Sequence, residues 1–370
     1  MQLDVFGCIL IFISCSWILS NLYLVGGPLD TARLHHDNHH HHIQQQQQQQ
    51  QRHHQRIPKR SPHHVFWCGY ENCFTDNETS LAKAIFPEVN VTRLESLDFV
   101  KFQQDDILFW PCGGHCPFAY DQTTAVFPGA IVAINGESVA CGVNPRSGAE
   151  HRIFHIIDND PLQHNASTLF VGVDVATRPA AVRASLLDPM KRVVNTGDHF
   201  LIYAHKHCVG FREEAFRQLA KIGPVHYASC NGGGVGERSE QVSRGGWGDN
   251  HVLFSKYRFT LAMENTVTHN YITEKIENAF YAGSIPIYYG TEQVFEIFNR
   301  KAFIWYDIQN PQEALDRVAY LERNVTAYKE MFQEPILAHG EETIAEYFSV
   351  RDNEGGGRLK WAIRERMGFV

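Results

Sequence analysis

From His199 onward the sequence switches repeatedly between a strand-like and a helix-like hydrophobic period, and this alternation constrains the fold more than any other feature. HFLIYAHKHC (His199–Cys208) reads as a strand. GFREEAFRQLAKIG follows, with Phe211, Ala215, Phe216 and Leu219 at helical spacing and a glycine at its end. PVHYASC is the next strand, CNGGGVGE a loop and YRFTLAMEN another strand. A further apolar helix, the strands IPIYY and AFIWYD, and the long amphipathic helix PQEALDRVAYLERNVTAYKEMF complete the series. Strands separated by helices form a parallel sheet with helices on its faces. Ligands of such sheets sit at the carboxyl ends of the strands.

The chain has 370 residues, 44% hydrophobic and 20% charged, enough for one large or two medium domains. The first spans residues 64–187, where FPGAIVAINGES (Phe127–Ser138), HRIFHIID and STLFVGVD are strand candidates. The second spans 188–338, and 339–370 reads as a surface helix and tail. Residues 26–63 are a low-complexity His/Gln-rich stem, too polar to bury a core. Before it, Val5–Val25 carries no charge and is long enough to cross a bilayer. Only Asp4 precedes this span and no A-x-A site follows, which favours an uncleaved signal-anchor over a cleaved signal peptide and makes residues 1–4 a cytoplasmic tail. Arg33 beyond the span pulls the positive-inside rule the other way. The N-x-S/T sequons at Asn77, Asn90, Asn165 and Asn324 favour a lumenal body. So do the cysteines outside the span, Cys68, Cys73, Cys112, Cys116, Cys141, Cys208 and Cys230, which would pair in an oxidising compartment with one left over. Cys68/Cys73 and Cys112/Cys116 lack the two-residue zinc spacing, so loop staples fit them better. A net charge of -8 and the lack of a basic cluster with interleaved aromatics exclude a nucleic-acid partner.

The densest chemistry lies in ENTVTHNYITEKIENAFYAGSIPIYYG, Glu264–Gly290. Tyr271, Ile272 and Thr273 lead into Glu274 and Lys275 at the first turn of a helix. Free N–H groups and the helix dipole attract anions there, and Lys275 adds a mobile cation suited to phosphate. Gly283 and Gly290 mark a helix end and a tight strand exit. A salt-bridge network would explain the same residues without a ligand.

This stretch resembles the donor-site signature of the glycosyltransferase family 10 α1,3/4-fucosyltransferases, roughly F-E-N-S…Y-[VI]-T-E-K…N-A…A-G…P-[VI]…G. FREEAF is similar to the family's arginine-bearing helix start, and the likeness runs over about residues 125–335. Met263 and Thr266 replace the usual aromatic and Ser with side chains of like character. The resemblance implies a GT-B fold, two Rossmann-like α/β domains facing a cleft, with GDP-fucose on the second domain and the acceptor on the first. It implies that Lys275 binds the diphosphate, that Arg212 is a second phosphate cation and that Glu274 holds the ribose or orients Lys275. Asn265 and Tyr271 would contact nucleotide or fucose, and Glu264 would contact fucose or brace the loop. It also implies that no metal is required, with manganese a stimulant in some relatives. DND at Asp158–Asp160 is the nearest approach to a D-x-D.

Inversion needs a base opposite the leaving group. Glu137, in NGES after a strand, resembles the family's glutamate turn, with His151 and His155 as alternatives. HKH (His205–His207) at a strand end fits one ring in and one out better than a metal site. The implied activity is α1,3-fucosylation of GlcNAc on a glycan by a Golgi type II membrane enzyme. Core-type relatives carry a cysteine-bearing C-terminal extension, and no cysteine follows Cys230, which favours an N-acetyllactosamine antenna over the N-glycan core. An inactive glycan-binding or scaffolding relative is the alternative of another class.

Overall fold

Two sheets, each parallel throughout, organise the protein. The computed structural model describes residues 61–68, 81–95, 97, 102–111, 116–134, 153–156, 180–230, 239–243, 250–268 and 270–369. The first sheet contains β1 (Val65–Trp67), β2 (Val91–Arg93), β3 (Ile107–Pro111), β4 (Ala130–Ile134) and β5 (Ile153–Ile156), in the order β2-β1-β3-β4-β5. The second contains β6 (His199–Ala204), β7 (Val225–Ala228), β8 (Ser239–Gln241), β9 (Tyr257–Leu261), β10 (Ile285–Tyr288) and β11 (Ile304–Trp305), in the order β11-β10-β9-β6-β7-β8. Near-continuous apolar runs such as AIVAI and IPIY suit strands buried on both faces.

Helices α1 (Leu81–Ile85) and α2 (Tyr120–Val126) belong to the first half, and α3 (Ala180–Leu187) leads toward the second. There α4 (Gly210–Leu219), α5 (Asn250–Phe254), α6 (Glu274–Tyr281), α7 (Val294–Ile297), α8 (Gln312–Arg323) and α9 (Val325–Gln333) follow in order. Phe216 and Leu219 of α4 and Val318 and Leu321 of α8 share one core with Phe259, Leu261 and Ile287. Ile276 and Phe280 of α6 pack in another with Phe298 and Ile336.

The long helix read over residues 311–332 is two helices. Asn324 adopts φ -122° and ψ 92°, and its Oδ1 accepts from the N–H of Ala327 at 3.0 Å, so it ends α8 and caps α9. The C-terminal segment, expected as a surface helix and tail, also differs. Val350 after α10 (Glu341–Tyr347), Leu359 and Ile363 in α11 (Arg358–Arg366), and Met367 and Phe369 beyond it enter the core of the first sheet beside Val65, Ile85 and Phe109. Arg364 is buried and donates to the carbonyls of Ile85 (3.0 Å) and Phe369 (3.1 Å) and to Glu88 (2.7 Å). A polar-looking sequence thus completes the core of the first sheet.

A disulfide joins Cys68 to Cys116, one cysteine from each close pair, so these are not stapled within the pairs as expected, and a second joins Cys208 to Cys230. The expected membrane span, residues 26–60 of the expected stem, the strand STLFVGVD and the sequons Asn77 and Asn165 lie outside the described residues. Among the described residues no helix is long and apolar enough to cross a membrane. Asn90 is exposed.

Candidate active site

In the second sheet the chain runs from β6 to β7 and β8 on one side, then returns to β9, β10 and β11 on the other. The carboxyl ends of the neighbours β6 and β9 therefore frame the crevice where such a sheet binds ligands. Arg212 of α4 sits there, 1% exposed. Its Nη1 donates to the carbonyl of Met263 at 3.2 Å and lies 3.4 Å from Nδ1 of His205, and its Nη2 donates to the carbonyl of His207. One buried cation thus ties the segment after β6 to the segment after β9. Burial lowers its pKa, while Tyr203, Glu264 and Tyr271 oppose the shift. Arg212 thus braces the two segments through Nη1 and Nη2, while its Nε has no hydrogen-bond partner among the described residues. His205 is buried and His207 exposed, the in-and-out pair expected of HKH.

Immediately beyond β9, Glu264 is wholly buried. Its Oε1 accepts from the Thr273 N–H at 2.7 Å, and its Oε2 accepts from Lys275 Nζ at 2.9 Å. Thr273 Oγ1 lies 2.9 Å from Oε2 and accepts from Lys275 at 2.7 Å. Tyr288 reaches the same carboxylate at 3.5 Å. Burial pulls the Lys275 ammonium down, but the charge of Glu264, then Glu274 and Tyr271, overrides this and holds it above the usual lysine range. Burial pushes the Glu264 carboxyl up, against the pull of Lys275 and the Thr273 N–H. We take the pair as ionised, since each oxygen of Glu264 has a donor. Glu264 therefore braces the loop and Lys275.

The brace has a second consequence. Thr273 stands at the N-cap of α6, yet its side chain makes no capping bond, because the hydroxyl is engaged by Glu264 and Lys275. The first-turn N–H groups of α6 stay open to a ligand from that side. An ammonium has three protons, and Lys275 gives two to Glu264 and Thr273, which leaves a third for a further acceptor. Tyr271 is buried with its ring 6.0 Å from Lys275 Nζ. Glu274 is half-buried at the start of α6. Asn265 follows Glu264, and its Oδ1 is buried with no hydrogen-bond partner among the described residues. Glu137, His151 and the DND segment lie outside the described residues. His155 lies in β5.

Sequence reasoning left Tyr288 and the Asn270–Gln293 pair unassigned. Gln293 accepts from the Asn270 N–H at 2.7 Å and donates to its Oδ1 at 3.0 Å, holding a left-handed turn (φ 61°) just before Tyr271. An Asn in THNYIT is the type most tolerant of that conformation, which was the available signal. Gly290 lets Tyr288 and Glu264 come together: a Cβ there would stand 2.5 Å from the Tyr288 hydroxyl and 3.1 Å from Glu264 Cγ.

Residues 200–334 match the family model described as glycosyltransferase family 10 (fucosyltransferase), C-terminal. This segment, just over a third of the chain, is similar to a family 10 domain and holds every donor-site residue named above. The chain is 42% identical over 83 residues, 22% of its length, to the Alpha-(1,3)-fucosyltransferase FucT of Helicobacter pylori, spanning 17% of that protein. It is 31% identical over 85 residues, again 22% of its length, to the GDP-fucose protein O-fucosyltransferase 3 of Xenopus laevis, spanning 18% of that one. The chain thus spans under a fifth of the length of each. A crystal structure of an α1,3-fucosyltransferase superposes with a TM-score of 0.54 at 17% identity, covering 84% of this chain and 92% of that one. That likeness is one of fold, the GT-B arrangement expected around a family 10 domain.

Proposed function

We propose that the chain transfers L-fucose from GDP-β-L-fucose to the 3-hydroxyl of GlcNAc in a glycan, inverting the anomeric carbon. The observation that carries this is the Glu264–Thr273–Lys275 triangle in a segment similar to a family 10 domain. The remaining Lys275 proton and the open first turn of α6 meet the diphosphate. The bond between fucose C1 and the phosphate oxygen breaks, and its electron pair stays on GDP. Cationic groups fixed where that charge develops lower the barrier, and they do so without a metal ion. The acceptor oxygen bonds to C1 from the opposite face and gives its proton to a base, for which Glu137 is the candidate. Arg212 positions the carbonyls on either side of the crevice.

Two acceptor readings share this donor chemistry. A GlcNAc on a glycan, whether on an N-acetyllactosamine antenna or in the N-glycan core, is the first. A protein hydroxyl is the second reading, supported by the likeness to a relative named as a protein O-fucosyltransferase. The disulfides and sequons support a lumenal site, and the uncharged Val5–Val25 supports a type II anchor, so we place the enzyme in the Golgi membrane.

Incubating the purified full-length protein with GDP-fucose and antenna, core and protein acceptors, with EDTA or with manganese, tests this directly. Transfer to a glycan acceptor that persists in EDTA is the expected result. Transfer only to protein selects the second reading, and GDP-fucose binding with no transfer to any acceptor leaves a scaffold. A strict metal requirement removes the cation-only account of leaving-group stabilisation. Glu137→Gln should leave GDP affinity within about twofold while abolishing transfer. Retained transfer would pass the base to His151 or His155.

A further inference from the structure

A second cavity opens at the other end of the same sheet. It encloses about 630 Å³ and is bordered by Gly197 and Arg258 at the amino ends of β6 and β9, by Gly283 before β10, and by α8 and α9. Five residues of β9 at about 3.3 Å each separate it by roughly 16 Å from the donor triangle. Its size falls in the range of small-molecule sites, about 300–1,000 Å³. Gly283 adopts φ +68°, and a Cβ there would stand 2.9 Å from the carbonyl of Val193, so glycine keeps this wall clear.

Arg192 gives the cavity its chemistry. The residue is 8% exposed and lines the cavity, and neither Nε nor Nη2 has a hydrogen-bond partner among the described residues. Its guanidinium lies 4.6 Å from the centre of the Phe332 ring and 5.7 Å from that of Phe280. The rings hold its faces but leave its edge donors unused. Burial brings its pKa down to about 10, so it remains charged at neutral pH. The other lining charges nearly cancel: Arg258 binds Glu322 through both carboxylate oxygens, leaving Lys329 as a further cation on the exposed surface of α9. Around the mouth stand Met190, Val194 and Val325, which are 78%, 86% and 64% exposed. A desolvated guanidinium without an acceptor is costly, and a large apolar rim facing water is unusual. One ligand relieves both.

We propose that this cavity binds an amphipathic organic anion, an apolar body ending in a carboxylate or phosphate that pairs with the Arg192 guanidinium at the cavity wall. A guanidinium suits recognition of such a head group, and the apolar body covers the valine and methionine rim. The site is independent of the donor chemistry, so binding is measured with no nucleotide present.

Calorimetry on the full-length protein with 4-phenylbutyrate, phenyl phosphate and the uncharged 4-phenylbutanol provides the test. One anion per chain should bind saturably, and the alcohol about ten- to a hundredfold more weakly, the worth of a charge-assisted pair. The tighter of the two anions identifies the head group. Arg192→Met keeps the packing against Phe332, removes the uncompensated charge and should weaken the anions to the level of the alcohol. Should that variant fail to fold, Lys329→Glu at the exposed rim should weaken the anions several-fold and leave the alcohol unchanged. No saturable anion binding, equal affinity for the alcohol, or unchanged affinity in the variant that folds would overturn the proposal.

Discussion

Lys275 is useful because a carboxylate without water around it fixes where the ammonium points. Glu264 has no exposure, and its partners Thr273 and Lys275 supply the donors that solvent would otherwise give. Lys275→Ala therefore does two things. It removes the third proton, which should lower kcat/KM for GDP-fucose about 10²–10³-fold, the usual cost of one fixed donor at a developing charge. It also strands Glu264, whose carboxyl burial already pushes upward. A folded-state carboxyl with a raised pKa binds more protons than the unfolded chain does between the two values. The stability of Lys275→Ala should therefore fall as pH rises from about 5 toward 8, and Lys275→Ala/Glu264→Gln should be flat over the same window. Urea unfolding at several pH values measures both, and a flat single variant would show that Glu264 is not held by Lys275.

At the scale of elements, what could be read beforehand followed from periodicity. The strands β6, β7, β9, β10 and β11 and helices α4 and α6 lie where alternating hydrophobic runs and terminal glycines place them. The motif residues Glu264 to Lys275 converge because they bridge the end of β9 and the start of α6, and a short spacing in sequence kept them close. What escaped were features set by side chains meeting across distance. β1, β2 and β3 escaped because the helices of the first half, α1 and α2, have only five and seven residues, too brief for a helical period to mark the alternation. Arg212 reaches the carbonyl of Met263, a contact no local pattern encodes. Asn324 escaped for the opposite reason: amphipathicity continues across it, and only its capping bond divides α8 from α9. Asn324→Ala should cost about 1 kcal/mol in chemical unfolding, whereas Asn324→Asp keeps the cap and loses the sequon. Equal destabilisation by both variants would assign the effect to a glycan instead of the cap.

At the scale of the whole molecule, the C-terminal segment completes the first sheet's core from the far end of the chain. Val350, Leu359, Ile363, Met367 and Phe369 are dispersed among charged residues, so the stretch reads as surface until the first sheet gathers them. Arg364 is the tie. It is 2% exposed, lies over Phe86 and Trp361 at 4.9 and 5.2 Å, and its donors reach Ile85, Phe369 and Glu88. Burial raises the Glu88 carboxyl, but Arg364 and the hydrogen bonds of Ser61 and the backbone outweigh it and leave the pKa below its ordinary value. The contribution of this pair is therefore present at neutral pH and lost only as acid protonates Glu88. Arg364→Met retains the stacking but orphans two buried carbonyls and a partly buried carboxylate, and should cost about 3 kcal/mol or more. The donor triangle belongs to the other sheet, so the Kd for GDP should stay within about twofold at temperatures where the variant is folded. Urea unfolding read alongside GDP binding separates the two effects. A parallel loss of stability and nucleotide affinity would mean that the C-terminal tie shapes the donor site as well as the first core.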